Sequence, residues 1–158
     1  MSENQNQNSK PEVSAQKEQG PHKVTIDTAK GQIVIEVYPD LMPITVANFD
    51  KLVQSGFYNG LKFHRVEEWV VQGGDPKGNG TGGPGWSIKL ETHPQLKNLR
   101  GAVAMARAMD PDSAGSQFYI LKKDAPWLDG QYAVFGRVIQ GMDVIDKIQK
   151  GDQMQTVK

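Results

Sequence analysis

A chain of 158 residues, 37% of them hydrophobic, is long enough to bury one core and too short for two comfortable domains. Eighteen basic residues balance eighteen acidic ones, so no long-range field draws the chain to nucleic acid or to an anionic membrane surface. The absence of cysteine excludes disulfides, thiolate metal sites and a thiol nucleophile.

Residues 1–21 carry only Met1, Val13 and Ala15 as hydrophobic side chains, among Asn, Gln, Ser, Lys and Glu. Too little apolar surface can be buried there to offset the entropy of ordering, which predicts a disordered polar tail ahead of one domain over residues 22–158. The tail lacks the apolar stretch of a secretory signal, and no later run approaches the roughly 18 apolar residues that span a bilayer. The cytoplasm is the expected compartment.

From Val24 the pattern alternates. Val24, Ile26 and Thr28 precede a turn at Ala29, Lys30 and Gly31, and Ile33, Ile35 and Val37 follow it, which predicts a β-hairpin with one buried face. Pro39 ends the hairpin. After Pro43, Val46, Phe49, Leu52 and Val53 recur at helical spacing and Gly56 supplies a stop, as in an amphipathic helix packed on a sheet. Seven glycines, from Gly73 to Gly85, then fall within thirteen residues beside Pro76 and Pro84 and read as a loop. Apolar runs at 102–106, 118–121 and 133–139 predict further short strands, and Met142, Ile145 and Ile148 share one face of a second helix over 142–149. Many strands and few helices indicate a mainly β barrel or sandwich.

The familiar catalytic templates are missing. Ser113 and Ser116 lie near Asp110 and Asp112 but outside a nucleophile elbow, and no histidine is placed nearby in sequence to activate them. His22, His64 and His93 are too scattered for a local metal site, so none is expected. The glycine loop at 78–85 lacks the Lys-Ser/Thr ending of a phosphate-binding loop. What remains is one arginine, two glutamines and several aromatic residues. On a regular strand Arg65 would share a face with Phe63, either reaching to solvent or forming a polar point in an apolar pocket.

Five motifs occur in one order: F-H-R at 63–65, Q-G-G-D at 72–75, G-x-G-T-G-G at 78–83, G-S-Q-F at 115–118, and W-L-D-G with V-F-G between 127 and 136. With the intervening GAVAMARA, their order and spacing resemble the cyclophilin-type peptidyl-prolyl cis/trans isomerases from Val24 to about Ile148. The resemblance implies a closed eight-stranded antiparallel β-barrel capped by two α-helices, an isomerase of X-Pro peptide bonds that assists protein folding, no cofactor, and a monomer. Its partners would be proline-containing peptides and unfolded protein clients.

By the same resemblance, Arg65 is the catalytic donor to the prolyl nitrogen and Gln72 orients it. The proline ring would lie between Trp69, Val70, Tyr119 and Leu128, with Tyr132 at the edge. Phe63, His64, Ala106, Arg107, Ala108 and Gln117 are assigned to substrate contact, and Gly78 and Thr81 to an adjoining groove for residues preceding proline. Trp127 matches the tryptophan associated with cyclosporin A binding. Against the best-known eukaryotic members, Trp69 stands for Phe, Val70 for Met, Arg107 for Asn, Tyr119 for Phe and Tyr132 for His, which bears on substrate preference. A proline-binding scaffold or chaperone module with incidental catalysis is the alternative.

Overall fold

The hairpin forms as its alternation requires. In the computed structural model, which describes residues 20–158, β1 (His22–Thr28) and β2 (Gly31–Val37) pair antiparallel from His22↔Val37 to Thr28↔Gly31. Gly31 turns the chain with φ of 136°, and a Cβ there would stand 2.8 Å from a Val144 methyl, so any other residue would be strained and would have to displace it. Of the tail expected over 1–21, residues 1–19 lie outside the described residues.

Helix α1 (Pro43–Gln54) starts with proline, which loses no helical hydrogen bond at that position. Its flanking residue provides no side-chain cap. The distant Glu91 does: its carboxylate accepts from Ile44 N at 3.0 Å, Thr45 N at 2.7 Å and Thr45 Oγ1 at 2.7 Å. The helix buries Val46, Phe49 and Leu52. Phe49 sits 4.8 Å from Phe135, 5.4 Å from Tyr58 and 5.6 Å from Phe118, centre to centre, and its burial contributes about 1.5–3 kcal/mol.

Six more strands follow: β3 (Phe63–Val66), β4 (Val70–Gly73), β5 (Ala102–Met105), β6 (Phe118–Leu121), β7 (Val134–Gln140) and β8 (Thr156–Val157). All join one antiparallel sheet in the order β3-β4-β6-β5-β7-β2-β1-β8. The sheet curls around Phe49 as a half-barrel, but it is open, which corrects the closed barrel expected from the sequence. Strands β3 and β8 are edges and do not pair with each other. Between them runs a seam of four backbone bonds, from Gly60 N to Met154 O, Met154 N to Leu61 O, Phe63 N to Asp152 O and Gly151 N to Phe63 O, with one isolated bridge at Lys62↔Gln153. A β8 of two residues is too short to continue the ladder past that point.

The second helix is also shorter than expected. Helix α2 (Met142–Ile145) is a single turn, after which Lys147 N and Ile148 N bond three residues back, to Val144 O and Ile145 O. One turn has no stability of its own; the buried Ile145 and Ile148 hold it in place.

The central strands are covered on both sides. Val71, Val103, Met105, Phe118 and Ile120 point into the barrel, whereas Val70, Ala102, Ala104, Tyr119 and Leu121 form a second apolar cluster on the outer face. That cluster is overlain by Leu128 and Tyr132 from the segment between β6 and β7, which includes a 3₁₀ turn, Pro126–Leu128.

Candidate active site

Strand β3 is bulged. Phe63 pairs with Gly73 and Arg65 with Gln72, so two residues of β3 advance against one of β4 and the alternation slips by one. Phe63 therefore turns into the barrel core, wholly buried, while Arg65 faces outward. This overturns the expectation that the two side chains share a face.

The outward arginine is held on two sides. Its Nη1 donates to Gln72 Oε1 at 3.1 Å, and its Nε donates to Glu67 Oε2 at 2.9 Å. The other oxygen of Glu67 accepts from Trp69 Nε1 at 3.1 Å, and the guanidinium lies 5.5 Å from the Trp69 ring centre. The Arg65 hydrogen bond and charge hold the Glu67 carboxyl below its ordinary range. Gln72 is itself anchored, its Nε2 donating to Gln117 Oε1 at 3.0 Å, and Gln117 Nε2 donates on to Gly82 O at 3.0 Å. A relay of side-chain amides thus links the arginine to the glycine loop.

Beside Arg65 opens a slot of about 260 Å³. Its apolar walls are Trp69, Val70, Ala106, Tyr119, Leu128 and Tyr132, and its polar rim is Arg65, Gln72 and Arg107. Tyr119 is buried at the back, where its hydroxyl donates to Asn98 Oδ1 at 2.6 Å and burial pushes the phenol pKa up. Asn98 in turn donates from its N and Nδ2 to Asp129 Oδ1, at 2.7 and 3.0 Å, which ties the back wall to the segment carrying Leu128 and Tyr132. Arg107 lies over Tyr132, its guanidinium carbon 4.5 Å from the ring centre. Trp127 is 62% exposed outside the slot, 5.9 Å from Trp69.

A second, more polar cavity of about 520 Å³ adjoins the slot across Gln72, Ala106 and Arg107, and reaches Thr81, Ala108, Ser113, Trp86 and Gln117. Asp75 organises the glycine loop forming one side of it, accepting from Lys77 N at 2.8 Å, Asn79 N at 3.0 Å and Gly80 N at 2.5 Å. Burial raises the Asp75 pKa, but the loop amides outweigh that and leave the carboxyl below its usual value. Gly82 packs so close to this carboxylate that a Cβ would overlap Asp75 Oδ1.

Comparisons with known proteins place the chain in a family. The family model for cyclophilin type peptidyl-prolyl cis-trans isomerase/CLD matches residues 23–158. The chain belongs to the cyclophilin family. Over 137 residues it is 47% identical to a peptidyl-prolyl cis-trans isomerase of Helicobacter pylori, covering 84% of this chain and 83% of that one. It is also 47% identical over 130 residues to peptidyl-prolyl cis-trans isomerase B of Bacillus subtilis, covering 80% and 90%. A crystal structure of a Cryptosporidium parvum cyclophilin type isomerase superposes with a TM-score of 0.81 at 30% identity, covering 87% of this chain and 96% of that one. A structure of the Cryptosporidium protein in the presence of the dipeptide Ala-Pro gives a TM-score of 0.76 at 32% identity, covering 86% and 94%.

In this cyclophilin the slot and its neighbour bring together Arg65, Trp69, Val70, Gln72, Thr81, Ala106, Arg107, Ala108, Gln117, Tyr119, Leu128 and Tyr132. Four residues expected at the site lie elsewhere. Phe63 belongs to the core, Gly78 is on the glycine loop but lines neither cavity, and Trp127 stands at the rim. His64 packs behind the glycine loop, its Nδ1 buried with no hydrogen-bond partner among the described residues and its pKa lowered by burial, with Asp75 opposing. Glu67, Asn98 and Asp129 support the site without having been expected there. Glu67 stands only two residues beyond Arg65, a spacing at which a salt bridge can be anticipated; the Asn98–Asp129 contact spans 31 positions and leaves no local signature.

Proposed function

We propose that this cyclophilin catalyses cis/trans rotation about X-Pro peptide bonds, with Arg65 donating a hydrogen bond to the prolyl nitrogen as the amide twists. The carrying observation is the guanidinium fixed by Glu67 and Gln72 at the mouth of an apolar slot, with its Nη2 making no hydrogen bond among the described residues. Rotation breaks no covalent bond. It is slow because amide resonance must be lost, at a cost of about 18–20 kcal/mol for peptide bonds generally. In the twisted state the nitrogen regains a lone pair, so a donor aimed at it binds the transition state more tightly than the planar substrate.

A hydrogen bond involving a charged group contributes about 1.5–3 kcal/mol, which corresponds to roughly 10- to 100-fold in rate. The rest of the acceleration comes from holding the proline ring in a preorganised slot walled by Val70, Tyr119 and Leu128. The Ala-Pro dipeptide accompanying the Cryptosporidium structure supports proline-containing peptides as substrates. Assistance to slow X-Pro steps in folding clients follows from such an activity, and the exposed Trp127 at the rim is available for cyclosporin A.

The test is exchange of a short X-Pro peptide by NMR with wild type and Arg65→Ala. Arg65→Ala is expected to lower kcat by about 10- to 100-fold while the peptide still binds. Equal rates would refute the role of Arg65. Peptide binding without exchange by either protein would favour the scaffold reading.

A further inference from the structure

The larger cavity has an unbalanced charge. Its lining includes two cationic side chains, Lys77 and Arg107, and no carboxylate. Among the described residues the ion pairs engage His22, Lys30, Arg65, Arg100 and Lys123, and leave both Lys77 and Arg107 without an acidic partner. The acids nearby are turned elsewhere: Asp75 to the loop amides, Asp110 to Asp112 N at 2.9 Å, and Asp112 to Leu90 N at 3.0 Å.

Arg107 is nevertheless fixed. Its Nε donates to Gln131 O at 3.0 Å, its Nη1 to Ala108 O at 2.9 Å and Met109 O at 3.2 Å, and the Tyr132 ring lies beneath it. Three neutral carbonyls and a ring position the guanidinium without cancelling its charge, and Nη2 makes no hydrogen bond among the described residues. It stands on the saddle where the slot and the larger cavity meet. An extended peptide advances about 3.3 Å per residue, so a chain with proline in the slot carries its next few side chains past this point.

We propose that the larger cavity selects peptides bearing an acidic side chain, Asp or Glu, at one of the three positions preceding proline. Arg107 is the specificity-determining residue and Lys77 the supporting charge. This rests on the isomerase reading above, with proline in the smaller slot and the preceding residues across Ala106. A carboxylate reaching a partly exposed, preoriented guanidinium gains about fivefold at low salt, and the gain shrinks as salt screens the pair.

The experiment measures kcat/KM by NMR exchange for an Ala-Ala-Ala-Pro-Phe peptide and variants with Glu, Gln or Lys at each position before proline. It uses low salt and about 0.5 M salt. One position should favour Glu over Gln by about fivefold and disfavour Lys, with the spread collapsing at high salt. The Glu/Gln ratio should fall towards one in Arg107→Gln, persist in Arg107→Lys, and weaken in Lys77→Gln. Lys77→Gln and the salt series decide the matter should Arg107→Gln fail to fold. Acceleration of all peptides within about twofold of one another, or an unchanged ratio in the Arg107→Gln, Lys77→Gln double variant, would overturn the selection and leave the isomerase standing. Failure to accelerate any X-Pro peptide would overturn both.

Discussion

Tyr119→Phe restores the phenylalanine of better-known eukaryotic cyclophilins, yet it should destabilise this one. The Tyr119 hydroxyl is the donor to Asn98 Oδ1, at 2.6 Å, and Asn98 is wholly buried with no second donor to that oxygen among the described residues. Deleting the hydroxyl removes a hydrogen bond of about 0.5–1.5 kcal/mol net and strands a buried carbonyl at about 1–3 kcal/mol, so a loss of about 2 kcal/mol is expected. With a urea slope of about 2 kcal/mol/M, the unfolding midpoint should fall by about 1 M, and Tm by roughly 5 °C. Because the ring still walls the slot and the hydroxyl points away from it, kcat/KM should stay within about threefold of wild type. A double-mutant cycle with Asn98→Ala should return a coupling of about 1 kcal/mol or more. A midpoint shift below about 0.2 M would refute the orphaned-carbonyl argument. A tenfold loss of activity at unchanged stability would place the hydroxyl against substrate.

The carboxylates that frame the site give two more expected outcomes. Glu67→Ala should lower kcat by about three- to tenfold with little change in KM, since Arg65 loses its Nε anchor, whereas Glu67→Gln should recover part of the rate. Because this pair is exposed, thermal unfolding should barely move; wild-type kinetics in Glu67→Ala would show that Gln72 alone positions the arginine. For Asp75, the folded pKa lies below the unfolded value of about 4, so its contribution to stability is complete above that pH and is lost as pH falls through the folded pKa. Asp75→Asn should lower the urea midpoint at pH 7 and flatten its fall between about pH 5 and 2, with unfolding followed by circular dichroism; an unchanged acid slope would assign the pH dependence to other carboxylates.

Local periodicity made much of the fold legible in the sequence. The hairpin, α1, and strands β5, β6 and β7 fall within a residue or two of their expected places, since alternation or helical spacing is enforced wherever one face is buried. Most of the slot was legible through its motifs. The failures are tertiary. A one-residue bulge reversed Phe63, because alternation holds only while pairing stays in register. The second helix stopped after one turn although its apolar spacing continues, and the barrel stayed open because the last strand pairs over two residues. The bond from Tyr119 to Asn98 crosses 21 positions and depends on the curl of the sheet.

The seam beside β3 has a consequence for solubility. A sheet edge with unpaired amides is a template on which any extended polypeptide can add a strand. Here the strand that carries Arg65 is such an edge, yet its outward Phe63 N and O are already occupied by Asp152 O and Gly151 N, at 2.8 and 2.9 Å. The stretch ahead of β8 acts as a selvedge: it finishes the margin at Phe63, where an added strand would otherwise begin to pair.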